Sequence, residues 1–224
     1  GVSLEEFRQL YIDITDAIRE VDNNHIVYIE GNWYGTDFSG LTPPWDDNMS
    51  YSFHKYWGET SLATIQSYIS MSNQYDIPLW MGESGENSNQ WYYEVFNLLE
   101  ENNIGWNFWT HKKVEKISSP FSAVVTPQYQ TLIDYWSGNG SQPSSAYAEA
   151  ALISFANSLK LENCISRPGV LASLTDPDFG EVSKPYSDHS IPGIIPAAEY
   201  DIGAWGLSYT DSDYYNNGDG NYND

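Results

Sequence analysis

Pro78-Leu79-Trp80-Met81-Gly82-Glu83-Ser84-Gly85 is an apolar run that ends on one carboxylate and breaks at once into small residues. A short apolar run bounded by turn residues reads as a strand buried in a parallel sheet. The chain on either side alternates between two periods. Ser3 and Glu6 form a capping box, and Leu4, Phe7, Tyr11, Ile14, Ile18 and Val21 follow at helical spacing, which predicts an amphipathic helix ending near Asp22. His25–Glu30 reads as a strand. Ser50–Trp57 then reads as a strand and Leu62–Tyr75 as a helix, Ile77–Gly82 as a strand and Gln90–Glu101 as a helix, and Ile104–Thr110 as a further strand. Strands alternating with helices at this spacing predict parallel β/α units.

Four such units starting on a helix make half of an eightfold barrel, whose complete form needs ~250 residues. Pro127–Trp136 and Ser144–Asn163 read as closing helices, the second through Ala148, Ala151, Leu152, Phe155 and Leu159. A doubly wound open sheet is the competing fold, but no glycine-rich phosphate loop follows any strand. The expected class is therefore α/β, with half of a (β/α)8 TIM barrel; the resemblances given below imply that it is the C-terminal half and that the opening strands of a β-sandwich follow at the C-terminus. The expected divisions are residues 1–174 for the half barrel, 175–190 for an aperiodic linker and 191–224 for the start of the sandwich.

Composition narrows the partners. Nine basic and 31 acidic residues give a net charge of −22, which repels phosphate backbones and anionic lipid and argues against nucleic-acid or membrane partners. No protein partner is implied. Nine Trp and 18 Tyr suit sugar rings, which show C–H faces to an indole and hydroxyl edges to its polar atoms, although they serve equally as core. The single cysteine, Cys164, excludes an intrachain disulfide. No run of ~18 apolar residues could span a membrane. Gly1–Glu6 lacks the basic and apolar regions of a signal peptide and reads as the interior of a longer protein.

Barrel enzymes keep their chemistry at the C-terminal ends of the strands, which sets Glu83 apart from the other acids, most of which read as solvated surface. Three further segments join it. Ile29-Glu30-Gly31-Asn32-Trp33, Tyr51-Ser52-Phe53-His54-Lys55-Tyr56, Trp80-Met81-Gly82-Glu83-Ser84-Gly85 and Gly105-Trp106-Asn107-Phe108-Trp109 resemble, in order and spacing, the fifth to eighth strands of glycoside hydrolase family 5, the cellulase-like retaining glycosidases. The resemblance covers roughly residues 1–136. It implies that Glu83 is the nucleophile, that Tyr56 bonds to it, that His54 lines the sugar subsite and that Trp109 stacks on the reacting sugar. The implied substrate is a β-glucan polysaccharide, cleaved endo-wise at β-1,4 linkages without a catalytic cofactor, and the implied location is extracellular.

Chemistry asks for the same residue types. A glycosyl-enzyme mechanism needs an ionised carboxylate held beside the anomeric carbon by a donor such as a phenol. His54 and Tyr56, two apart, are expected on one side of the strand. Trp33, with Trp45, Trp57 and Lys113, lies just past strand ends and is expected to line outer sugar subsites or to pack. Without the resemblance His54 reads as a core histidine, and no histidine pair has metal-ligand spacing.

Retaining hydrolysis needs a second carboxylate, about 5 to 5.5 Å from the first, to protonate the leaving oxygen. In the family that acid is the Glu of an Asn-Glu pair ending the fourth strand, and this chain starts in the helix after it. Glu5 and Glu6 belong to the helix start, where the dipole favours them. The chain alone is therefore expected to be inactive. A non-catalytic carbohydrate-binding protein with a glycosidase-like cleft is the alternative.

Ala198–Gly203 and Gly206–Asp213 resemble the opening strands of a family 6 carbohydrate-binding module, a β-sandwich with a structural calcium. The resemblance places Glu199 at one acidic position of that site, while Pro196 falls on another and cannot ligate. Asp211-Ser212-Asp213 opens like an EF-hand loop, but Tyr215 holds its fifth position, so Asp211–Asp224 reads as a solvated glycine-rich loop.

Overall fold

Ser3 starts the first helix by accepting the Glu6 N–H at 3.2 Å while the Glu6 carboxylate takes the Ser3 N–H at 2.9 Å, two end groups satisfied reciprocally. The resulting α1, Leu4–Arg19, opens a computed structural model that describes residues 2–213. Four parallel strands follow: β1 Val27–Glu30, β2 Met49–His54, β3 Leu79–Glu83 and β4 Gly105–Trp106, neighbours in that order. Between them lie α2 (Asn32–Gly35), a 3-10 turn at Leu62–Thr64 running into α3 (Gln66–Tyr75), and α4 (Asn89–Glu101). The chain is thus an α/β protein with a parallel sheet, in the element order expected of a partial barrel.

β2 is buried along nearly its whole length, Met49 to Phe53, as expected of an inner parallel strand covered on both faces. Phe53 stacks on Tyr68 at 4.4 Å, and Ile29, Tyr51, Leu79 and Met81 complete the apolar core about it. Arg19, at the end of α1, fixes the entrance to β2. Its guanidinium makes a two-pronged bond to Asp46 at 2.8 and 2.9 Å and also donates to the carbonyls of Asp22, His25 and Asn48. Those donors hold the Asp46 carboxyl below the usual carboxylate range.

Contacts divide the chain into two compact units, Gly1–Gly85 with Glu94–Trp109 and Glu86–Tyr93 with Thr110–Asp224. The second holds a small sheet that the sequence did not announce: β5 (Lys112–Val114) parallel to β6 (Phe121–Ala123), and β6 antiparallel to β7 (Ile165–Ser166). α5 (Pro127–Trp136) and α6 (Ser145–Ser158) form a hairpin in which Tyr129 stacks flat on Phe155 at 4.0 Å. α7 (Pro168–Thr175) was not expected either.

Several boundaries move. The second expected strand stops at His54, so Lys55, Tyr56 and Trp57 belong to a loop, and the last expected strand is two residues long rather than seven. Segment 175–190, read as a linker, carries the buried Phe179, 5.2 Å from Tyr93, and an ion pair of Lys184 with Asp176 at 2.5 Å. Among the described residues of 191–213 no strand forms, and the only ladder contacts are the isolated bridges Lys184 to Ile202 and Trp205 to Tyr209. Tyr215 and most of the predicted solvated loop lie outside the described residues.

Candidate active site

Glu83 is the last residue of β3 and owes its direction to an irregularity. Phe53 pairs with Met81, yet His54 pairs with Glu83, so one extra residue, Gly82, is accommodated between the two pairs. An unbroken period of two would send Glu83 to the same face as the fully buried Met81. The bulge re-aims it to the face that carries His54. There Tyr56 Oη donates to Glu83 Oε2 at 2.7 Å and His54 Nδ1 stands 3.6 Å from the same oxygen. The carboxylate side chain is 33% exposed, open enough for an incoming ligand.

The loop carries Tyr56 to this position, which corrects the expectation that His54 and Tyr56 share one side of a strand. The strand has ended by Lys55, and the two side chains converge because the backbone turns. The His54 ring, 12% exposed, is confined by Gly35, where φ is +73° and a Cβ would come within 2.8 Å of the ring. Alanine at Gly35 would suffer both the clash and the left-handed backbone.

Sequence reasoning passed over Glu30. It closes β1, and its Oε1 lies 3.7 Å from His54 Nε2. Two carboxylates therefore face opposite nitrogens of one imidazole. The signal was the one that selected Glu83: an acid ending an apolar run where small and polar residues begin.

Trp109 lies past the end of β4, tied to the site by its N–H, which donates to the Ser84 carbonyl at 2.6 Å; its indole is 48% exposed. Trp33 is 69% exposed and, with Tyr34, adopts a left-handed backbone in α2. Both present aromatic surface to solvent. Trp57 is exposed likewise. Trp45 is engaged in packing: its indole N–H donates to Thr15, and Tyr11 and Arg8 lie over its ring. Lys113 is paired with Glu86 at 2.6 Å.

Glu199 is drawn into a small cluster of its own, accepting from Ser187 at 2.8 Å and standing 3.3 Å from His189. Calcium needs six to eight oxygens, and among the described residues no group of three or more His, Cys, Asp or Glu side chains could hold a metal. The residues about Glu199 therefore do not fit the expected calcium site. No helix among the described residues is long and apolar enough to cross a membrane.

Residues 4–114 match the family model described as cellulase (glycosyl hydrolase family 5). A comparison with curated proteins finds no match. Among solved structures, the chain is similar to an endoglucanase at 22% identity, covering 48% of this chain and 47% of that one with a TM-score of 0.39. It is similar to Thermotoga maritima Cel5A, solved in complex with cellobiose, at 18% identity over 49% and 48% of the two chains (TM-score 0.44). It is also similar to an endo-beta-1,4-glucanase from Xanthomonas axonopodis pv. citri, at 14% identity over 67% and 56% (TM-score 0.44). The chain spans about half the length of the first of these structures.

Proposed function

We propose that this chain is the nucleophile-bearing part of a cellulase-like retaining β-glycoside hydrolase acting within β-1,4-glucan chains, and that the parent protein works outside the cell. The observation that carries the reading is the 2.7 Å hydrogen bond from Tyr56 to Glu83 at the C-terminal end of a parallel strand, beside His54. The family match over residues 4–114 supports the reaction class.

In this mechanism a Glu83 oxygen attacks the anomeric carbon as the glycosidic C–O bond breaks, and the departing oxygen takes a proton from a second carboxyl group. Water then attacks the same carbon, releases Glu83 and returns a proton to the second group, so configuration is retained. Tyr56 orients the attacking carboxylate of Glu83 by donating to it. His54 and the exposed Trp109 and Trp33 line the sugar path. Glu30 faces His54 rather than Glu83, and the proton donor is assigned to the strand preceding α1. The family 6 reading of residues 191–224 rests on sequence likeness alone.

The test compares this chain with a version extended upstream through that strand, on a soluble β-1,4-glucan. The extended protein should release reducing sugar and this chain none, and Glu83→Ala should lower the extended protein's rate on the order of 10⁴-fold or more. Hydrolysis by the chain alone, lost in E83A, would overturn the split of the site. Activity of the extended protein that survives E83A would overturn the assignment of Glu83.

A further inference from the structure

Lys55 stands between His54 and Tyr56 and has no part in the mechanism above, yet it is only 9% exposed. A long cationic side chain is rarely buried unless it is paired. Its ammonium donates to the carbonyls of Glu59 at 2.8 Å and Trp57 at 3.3 Å, while its backbone N–H donates to the Glu83 carbonyl at 3.1 Å. One residue is thus bonded to the strand end that bears Glu83 and to the turn that follows Tyr56. Burial pushes the amine down from its ordinary value, against the opposing charge of Glu59.

The turn itself is shaped to meet the ammonium. Gly58 has φ +82° and open space where a Cβ would stand, so the requirement for glycine there is one of backbone conformation and not of room. The far end of the loop is anchored by Thr60, whose hydroxyl donates to Glu94 at 2.6 Å. A phenol two residues beyond a strand end has no sheet to orient it, and the carbonyls just past it gather about a buried cation.

We propose that Lys55 is a positioning residue, whose ammonium closes the Lys55–Thr60 loop and so aims the Tyr56 phenol at Glu83. The inference rests on the reading of Glu83 as nucleophile and Tyr56 as its donor. Its test reads the Tyr56–Glu83 bond and not turnover, so the two can fail separately.

The chain is labelled with carbon-13 at the phenol carbon of tyrosine, and the Tyr56 resonance is identified by its loss in Tyr56→Phe. Glu83→Gln replaces the charged acceptor and fixes the direction in which the signal moves when the charge-assisted bond is lost. Lys55→Met should move the resonance the same way by at least about half that distance, whereas Lys55→Arg, which keeps a cation with several donors, should move it clearly less. Gly58→Pro, on a surface turn, should displace the signal in the same direction by denying the backbone its left-handed φ. This variant decides the matter if Lys55→Met does not fold. A folded K55M with Tyr56 at its wild-type position, or G58P with Tyr56 unmoved, would overturn the proposal.

Discussion

The parallel sheet and the segment from Asp176 onward are both rich in short apolar and aromatic runs, and of the two only the sheet forms ladders among the described residues. Each run in the sheet has a neighbour in register: Val27 to Glu30 pairs with Met49 to Ser52, and Tyr51 to Glu83's partner His54 pairs with β3. In the segment, Ala198–Gly203 and Gly206–Asp213 meet only isolated bridges among the described residues. β propensity is therefore realised where a partner strand and a covered face are both present. What fixes the segment is a few anchors: buried Phe179 against Tyr93, the Ala204 N–H donating to the Phe179 carbonyl at 3.0 Å, and the Trp205 N–H donating to Gln90 at 2.8 Å.

This contrast can be broken most forcefully at Phe53. Phe53→Ala empties a fully buried site stacked on Tyr68 and should cost about 3 to 5 kcal/mol in a denaturant titration followed by tryptophan fluorescence. A loss below about 1 kcal/mol would show that β2 is not the centre of its core. Phe179→Ala should cost less, about 3 kcal/mol or under, because a segment held by anchors can collapse onto the void. Its signature is local: hydrogen exchange at the Ala204 amide should accelerate at least about tenfold, with protection in β2 unchanged. Equal loss at both places would erase the distinction drawn between them.

Two ion pairs sharpen it further. The carboxyl of Asp46 lies below its ordinary value in the folded protein because Arg19 donates to it. A carboxylate with a depressed folded value binds protons more readily unfolded, so its contribution is complete above the unfolded value of about 3.9 and is lost as pH falls through the lower, folded value. Asp46→Asn should lower Tm by about 2 °C at pH 7, and wild type and variant should converge as pH drops below about 4. Lys184→Ala removes the more exposed partner of Asp176 and should move Tm by no more than about 1 °C at neutral pH. A larger shift would mean that the segment depends on its charges more than on Phe179.

How far the sequence announced all this depends on the kind of signal each element carries. α5 was legible to the residue because Thr126 caps it, accepting the Tyr129 N–H, and Pro127 occupies its first turn. β5, β6 and β7 were not, since strands of two or three residues show no period. α7 was hidden by Pro168-Gly169, a pair that reads as a turn when its helical continuation is short. In the site, Glu83 and His54 could be placed near strand ends. The direction of Glu83 could not, because it depends on a bulge at Gly82, nor could the approach of Tyr56, which depends on the loop after His54 and on carbonyls drawn to Lys55. Glu30 was within reach, had the strand-end rule been applied to β1 as it was to β3.

Glu83 as nucleophile is the central claim, and it can be tested with a substrate that needs no proton donor. A cellobioside with fluorine beside the anomeric carbon and dinitrophenolate as leaving group needs no protonation to depart, and the fluorine slows release of the glycosyl-enzyme. Incubated with this chain and followed by intact mass, it should add one fluorocellobiosyl group, which peptide mapping places on Glu83 and which Glu83→Gln does not acquire. Labelling of a different carboxylate, equal labelling of E83Q, or an unlabelled wild-type chain would contradict the account.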